Sequence, residues 1–506
     1  MQGAREAVRP ERPVPARPRV RPDLPGHAML ALQRQAGNAA VSRLIAQRCG
    51  DRPCACPTTQ QGPREEDEVP VQRFGSGEHV RIGTEAVPGR TVLLTGFGHI
   101  SYGEMIALGD YFGTLTEMST LASAFGTWGR EQIDYALWKV NPVSPANPTG
   151  RPRPVVSPSA VEAVDARYYR LASRNETHFS TGSAPGLSNR EQYIAGHTEA
   201  IRSAYLQGLN PLVVRPWTWD AQEGFAAHFL TDAFSAGHVR TPRGEIQRHW
   251  EALYPNFRDD LIRTIACHMA TYVNDHDNVG YVATVDMLTD SIADYIRANS
   301  GPALAAFSIG DLISKVMHDA DNAGLDVVSP RGPAGSAPGP FHWRAVGDDF
   351  LFPSVPGAAA AQTARMAEEA TKLSYEEGAR AFTAGTTGSS TLSSLTNATG
   401  FQALGLVPNV DPASATNPVY PWSAPSITAL GPVLRGLIGG AFLPGKEIRA
   451  GLDAMAVPAT TERYGFTLHT GDAWNCFKGL LLADPFAMIA RIGARDTCPA
   501  GKNSPC

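Results

Sequence analysis

Long apolar runs are missing from this 506-residue chain. No stretch of eighteen apolar residues occurs, so no membrane-spanning helix is expected. The first residues are rich in Arg and Pro and contain no apolar core segment, so a standard secretory signal is not expected either. Excess positive charge is also missing. Lys and Arg total 44 against 49 Asp and Glu, a net charge of −5, so nothing points to nucleic acid as a partner. Strand-like alternation of polar and apolar residues is scarce, which leaves a mainly α body. There is no G-x-S-x-G, no Walker A loop and no H-E-x-x-H, so the chemistries those motifs carry are not expected. Cysteine is sparse and odd in number, at seven. Cys49, Cys54 and Cys56 cluster early, Cys476, Cys498 and Cys506 fall late, and Cys267 is isolated in the sequence. The spacing leaves disulfides, a small metal knot and free thiols open.

What is present divides the chain. Residues 1–73 form a leader whose "MQGAREAVRPERPVPARPRVRPDLPG" cannot bury enough apolar area to offset ordering, so disorder is expected there. Within it, Leu30, Val41, Leu44 and Ile45 fit one short amphipathic helix over 28–48. Residues 74–383 carry repeated helical periodicity, as in "REQIDYALWKV" and "NREQYIAGHTEAIRSAYLQG", and predict an all-helical metal-binding unit. The Ser/Thr/Gly-rich 384–400 predicts a flexible linker. Residues 401–506 are Gly/Pro-rich and have no readable role, although apolar pieces such as "VLRGLIGGAFLPG" leave a membrane-acting tail as one alternative.

The most informative stretch is "HFLTDAFSAGH", His228 to His238. On a helix, residues four apart share a face, so His228 and Asp232 can hold one ion. His238, six residues beyond Asp232, lies about 9 Å further along the axis and is rotated away. It suits a second ion instead, reached if the helix loosens near Gly237. The surroundings "FAAHFLTDAF" are apolar on nearly every side, so the helix is expected to be buried. A buried carboxylate between histidines needs a partner, because an isolated buried charge is very costly. Imidazole with carboxylate suits zinc.

Two resemblances sharpen this reading. "LQRQAGNAAVSRL", followed by a cysteine-containing linker, an acidic run and "VQR", resembles the leader of proteins associated with bacterial extracellular contractile injection systems. That resemblance covers residues 28–73. It implies a partner, the phage-tail-like particle, and a history: synthesis in the bacterial cytoplasm and export as cargo. H-x-x-x-D-x-x-x-x-x-H on a buried helix, with His178-Phe179 upstream, is similar to the zinc-dependent phospholipase C and single-strand nuclease superfamily. That similarity implies a multi-helix domain with two or three zinc ions that hydrolyses a phosphodiester, with phospholipid slightly favoured by the acidic chain.

Carried over residue by residue, the similarity makes His178, His228, Asp232 and an upstream aspartate the first ligand set. Asp232 bridges, and His238 begins a second set. Asp110, in "IALGDYFG", is preferred over Asp165 for the upstream position, as ligand or as general base, so Asp110 and Asp232 are the candidate catalytic carboxylates. The chain departs from the pattern twice. No Trp opens the body, so His79 or His99 is the expected substitute. The downstream H-x-x-x-E/D helix is absent at His249 and at His268, and His268 and His318 remain lesser candidate ligands. The second departure keeps a non-catalytic adaptor of the particle as the other reading. Arg240 and Arg243, just past His238, are candidate phosphate-gripping groups. "DHDNVG" and "DADNAG" read as helix-end turns. His197 reads as a core histidine.

Overall fold

The computed structural model describes residues 76–430, apart from 145–146, 213–216, 278–284, 300–307, 353–356 and 418. The leader with its expected helix, most of "DHDNVG" beyond Asp277, and residues 431–506 lie outside the described residues.

The body is mainly helical, as the periodicity predicts. Helix α1 (Ser76–Ala86) leads into a hairpin of β1 (Thr91–Leu94) and β2 (Gly98–Ser101). There follow α2 (Tyr102–Ala107) with a 3-10 turn at Leu108–Asp110, α3 (Leu115–Ala124), α4 (Gly126–Val140) and α5 (Pro158–Ala172). A 3-10 turn at Asn175–His178 precedes α6 (Asn189–Leu209), α7 (Trp219–Asp232) and the short α8 (Ala236–Arg240). Next come α9 (Arg243–Leu253), α10 (Phe257–Asp277), α11 (Val285–Asn299) and α12 (Ile309–Asn322). Then come β3 (Leu325–Ser329), β4 (Phe341–Ala345), a 3-10 turn at Asp348–Phe350, the long α13 (Ala358–Thr387), α14 (Leu392–Leu395) and β5 (Asn409–Val410). Strands β4, β3 and β5 form an antiparallel sheet in that order.

Local chemistry sets several boundaries. Ser101 and Glu104 close a capping box at the start of α2, as do Ser188 with Glu191 for α6 and Ser308 with Asp311 for α12. "SYGEMIALGDYFGTLTEMSTLASAF" reads as one periodic run but folds as two helices. The 3-10 turn breaks it, and Thr114 caps α3 by accepting from the backbone of Glu117. Helix α7 is the central helix, packed against α2, α6 and α13. Its small residues Ala221, Gly224, Ala226 and Ala227 are buried, which lets these neighbours approach.

The expected linker at 384–400 begins on a helix. Helix α13 runs on through Thr387 and ends at Gly388, which adopts a left-handed φ of 68°. Phe401 then packs on Ile201, Ala204, Trp219 and Ala381, while Ala403, Leu406 and Val407 join the core around Leu230 and Phe234. Residues 401–430 therefore belong to the same body, because their apolar side chains complete its cores. Among the described residues, no helix is long and apolar enough to cross a membrane.

Candidate metal centre

Asp232 is the last residue of α7. The helix ends there, Ala233 to Phe234 turn, and Ser235 takes an extended conformation before α8 begins. That break folds His238 back onto Asp232, with Nδ1 3.3 Å from Oδ1. A continuous helix would hold the two residues about 9 Å apart along its axis. Two contacts fix the break. The Asn322 amide oxygen accepts from the Gly237 N–H at 2.6 Å and from the Ser235 hydroxyl at 3.0 Å. A Cβ at Gly237 would lie 2.4 Å from the His318 ring, so only glycine permits this approach.

Four imidazoles surround the Asp232 carboxylate. Oδ2 lies 2.9 Å from His178 Nδ1 and 3.4 Å from His228 Nε2. Oδ1 lies 3.4 Å from His79 Nε2 and 3.3 Å from His238 Nδ1. His228 Nε2 is also 3.2 Å from His178 Nδ1 and 3.9 Å from Asp110 Oδ1. Asp110, on the turn after α2, receives a 2.5 Å hydrogen bond from the Ser76 hydroxyl on its other oxygen. A Cβ at Gly109 would sit 2.3 Å from the His228 ring, so a glycine beside Asp110 makes room for the histidine.

These distances fit a cation better than a set of hydrogen bonds. Tetrahedral zinc with bonds of about 2.1 Å places its ligand atoms roughly 3.4 Å apart. The spacings around Oδ2, 2.9 and 3.4 Å, come up to that value. Hydrogen-bond arithmetic gives the same answer on the other side. The Thr231 hydroxyl donates to the carbonyls of Ala227 and His228, and lies 2.7 Å from His79 Nδ1. Its one proton is used, so it accepts from His79 Nδ1–H. His79 Nε2 then faces the Asp232 carboxylate, lone pair against lone pair, unless a proton or a metal ion lies between. At His228, Nδ1 finds no hydrogen-bond partner among the described residues, while Nε2 faces the His178 ring nitrogen and two carboxylate oxygens, more than one proton can serve. Two ligand groups meet the distance criterion here, His79–His228–Asp232 and Asp110–His178–His228. The site has His/Asp clusters that could bind metal ions.

Charge at the site follows burial. Asp232, His228 and His238 are all at most 3% exposed. Burial drives His228 well below the ordinary imidazole value and His238 below it, which favours the neutral, ligating form. Burial would raise Asp232, but the imidazoles of His228, His178 and His238 outweigh it and hold the carboxylate well below its usual range. Asp110 is pushed up to about 6, first by burial and further by the Asp232 charge, against the opposing His79 and Ser76. His79 is lowered by burial but raised on balance by its contact with Asp232.

The other expected residues fall as follows. His79, on α1, takes part, whereas His99 is exposed on β2. Asp165 faces Lys139 at 3.8 Å on a half-exposed surface, away from the cluster. His268 is buried on α10, which packs against α11, and lies outside the ligand groups. The phosphate grip expected of Arg240 and Arg243 requires correction. Arg240 forms paired bonds of 2.8 and 2.6 Å to Asp321 beneath Tyr420, and buried Arg243 binds Asp311 and the Ala172 carbonyl at 2.6 Å each. Both guanidinium groups serve carboxylates already. His197 is a core residue, held between Glu223 at 2.6 Å and Glu377 at 3.0 Å.

The histidine beside His238 is His318, a lesser candidate in the sequence, at 4.9 Å between ring centres. The sequence reading missed Asn322, four residues on, and two carboxylates, Asp319 and Asp348. Asp348 lies 3.8 Å from His318 and Asp319 lies 2.9 Å from it, and the three form a further ligand group. "DADNAG" does end a helix, and it also holds Asp319 and Asn322. Asp348 sits in a loop, where no periodicity marks it. No family profile, no curated protein and no solved structure matches this chain.

Proposed function

We propose that the protein is a zinc-dependent phosphodiesterase of phospholipase C type, carried as cargo by a contractile injection particle through its leader. The observation that supports it best is the Asp232 carboxylate, buried at the centre of four imidazoles and turned with one oxygen to each of two ligand sets. Asp110, His178, His228 and Asp232 Oδ2 would hold one zinc ion, and His79, His238 and Asp232 Oδ1 a second. The fit rests on neutral nitrogen and carboxylate donors at spacings near a tetrahedral edge.

When bound, zinc supplies Lewis-acid polarisation of a phosphoryl group. The chain's own residues position it. Thr231 fixes the tautomer of His79, and Ser76 holds one oxygen of Asp110 so that the other faces His228. A small pocket opens on the cluster, lined by Glu78, His79, Asp232, His238 and Asp348 among others, with no Lys or Arg in its wall. A phosphate group approaching the mouth of such an acidic pocket needs bound cations to offset the carboxylates. This supports a metal-dependent anionic substrate over one held by basic side chains.

The missing H-x-x-x-E/D pair at His249 and His268 favours a second reading, a non-catalytic adaptor that keeps the helical fold. Zinc-loaded protein assayed on phospholipid and on a generic phosphodiester separates the two, with Asp232→Asn as the control. Turnover abolished by Asp232→Asn supports the enzyme. Bound zinc without turnover supports the adaptor. Deleting residues 28–73 is expected to abolish co-purification with the particle, and retained loading would refute the cargo reading.

A further inference from the structure

We propose that Cys267 pairs with Cys476, and that this disulfide clasps the C-terminal region, residues 431–506, onto α10 until it is reduced. Cys267 is disulfide-bonded. It is the one cysteine among the described residues, so its partner is one of Cys49, Cys54, Cys56, Cys476, Cys498 and Cys506. Cys267 is 0% exposed on α10, beside Ile265, Ala266, Met269 and Ala270, which are at most 1% exposed. A disulfide holds its two Cα atoms about 4.4–6.8 Å apart. The segment that carries the partner therefore packs against α10, and it needs apolar side chains to share so buried a place.

The path of the chain favours a late cysteine. The neighbours of Cys267 belong to a core built from α9, α10, α11 and α12, which Ala424, Ile427 and Leu430 complete. Three contacts on α9 lead the chain there. The Trp250 indole N–H donates to the Trp422 carbonyl at 2.8 Å, His249 Nε2 donates to the Ala424 carbonyl at 3.0 Å, and the Tyr254 hydroxyl accepts from the Ile427 N–H at 3.4 Å. Leu430, the last described residue, thus lies in the core that holds Cys267. Ser76, the first described residue, is bonded to Asp110 at the metal cluster instead. Flanking sequence then selects among the late three. Cys476 stands in "GDAWNCFKGLLLADPF", with Trp474, Phe477, Leu480 and Leu481 close by. Cys498 and Cys506 stand in "ARDTCPAGKNSPC", and the early three in "CGDRPCACPTT"; both stretches are polar and carry proline. Cys476 alone brings an apolar stretch to an apolar core.

Such a bond closes in oxidising surroundings and opens in reducing ones. A dithiol opens it in two exchanges: one thiolate attacks a sulfur to give a mixed disulfide, and the second thiol displaces it. Two electrons and two protons pass to the chain, which regains both thiols, and the dithiol leaves as its disulfide. The contacts of residues 420–430 with α9 involve no cysteine and persist, so reduction frees 431–506 alone.

The full chain, oxidised in a glutathione buffer, is unfolded in iodoacetamide, digested and mapped by mass spectrometry. The expected product is the Cys267 peptide linked to the Cys476 peptide, separating on reduction. Cys267 linked to any other cysteine, or carrying the alkyl group, overturns the pairing. Limited trypsin digestion of native protein tests the clasp, since residues 431–506 offer Arg435, Lys446 and Arg449 among other sites. Dithiothreitol-treated wild type and Cys476→Ser are expected to be cut there at least about tenfold faster than oxidised wild type and Cys498→Ser, with the body to Leu430 intact. Equal cleavage of oxidised and reduced wild type overturns the clasp. Neither measurement depends on metal or on turnover, so both stand apart from the proposed function.

Discussion

His238 lies 3.3 Å from Asp232 although the two residues stand on different helices, α8 and α7, with a break between them. The contact puts an imidazole against each side of one carboxylate, and it depends on the helix break that Asn322 secures. Removing that clamp therefore has a defined cost. Asn322→Ala leaves the Gly237 N–H and the Ser235 hydroxyl without their acceptor, and is expected to destabilise the protein by about 1–3 kcal/mol. Zinc binding should weaken with it. Urea unfolding and zinc titration of the same variant check both effects, and unchanged values for both would show the clamp to be dispensable.

Asp232→Asn should remove a bridging charge that no neighbour can replace. Zinc affinity is expected to fall by at least about 100-fold, beyond the range seen when an outer-sphere partner is lost. Competition with a zinc chelator of known affinity measures it.

Gly109→Ala tests the site from a residue that binds nothing. The added methyl would overlap the His228 ring and push it from its place. Overpacking of this kind costs about 1–3 kcal/mol, and zinc affinity should fall at least about tenfold. A variant with wild-type zinc affinity would show that the His228 position is not critical.

His197 gives a pH dependence remote from the metal cluster. Burial lowers its pKa, but the carboxylates of Glu223 and Glu377 more than compensate and raise it to about 9. A folded-state value above the unfolded 6.5 contributes stability that is complete below pH 6.5 and is lost as pH rises through about 9. The window holds roughly 3 kcal/mol, from the size of the shift. Urea midpoints of metal-free protein between pH 6 and 9.5 should fall in the wild type and stay flatter in His197→Gln.

The sequence made parts of this arrangement readable for physical reasons. His228 and Asp232 share a helix face at a spacing of four, and their apolar surroundings signalled burial; both are at most 3% exposed. Asp110 was distinguishable from Asp165 by its apolar flanks, and Asp165 does face Lys139 on the surface. The return of His238 was not readable, since it depends on Asn322 from a distant helix. Nor was Asp348, whose position is set by a loop and the sheet that precedes it. At 384–400, where Thr, Ser and Gly suggest a linker, α13 continues through Thr387 because it packs on α6, a contact that composition does not show. The partners of Arg240 and Arg243 are not legible either, because their carboxylates, Asp321 and Asp311, come from α12, far along the chain.

The central claim is that the two oxygens of Asp232 serve two different ions. Anomalous diffraction at the zinc edge, from crystals of the full chain grown with zinc, measures this directly. The expected result is one peak within about 2.2 Å of Oδ2 among His178 and His228, and another within about 2.2 Å of Oδ1 among His79 and His238. Absence of any peak at Asp232, or a single ion that leaves one of its oxygens facing only protonated imidazole, would contradict the account.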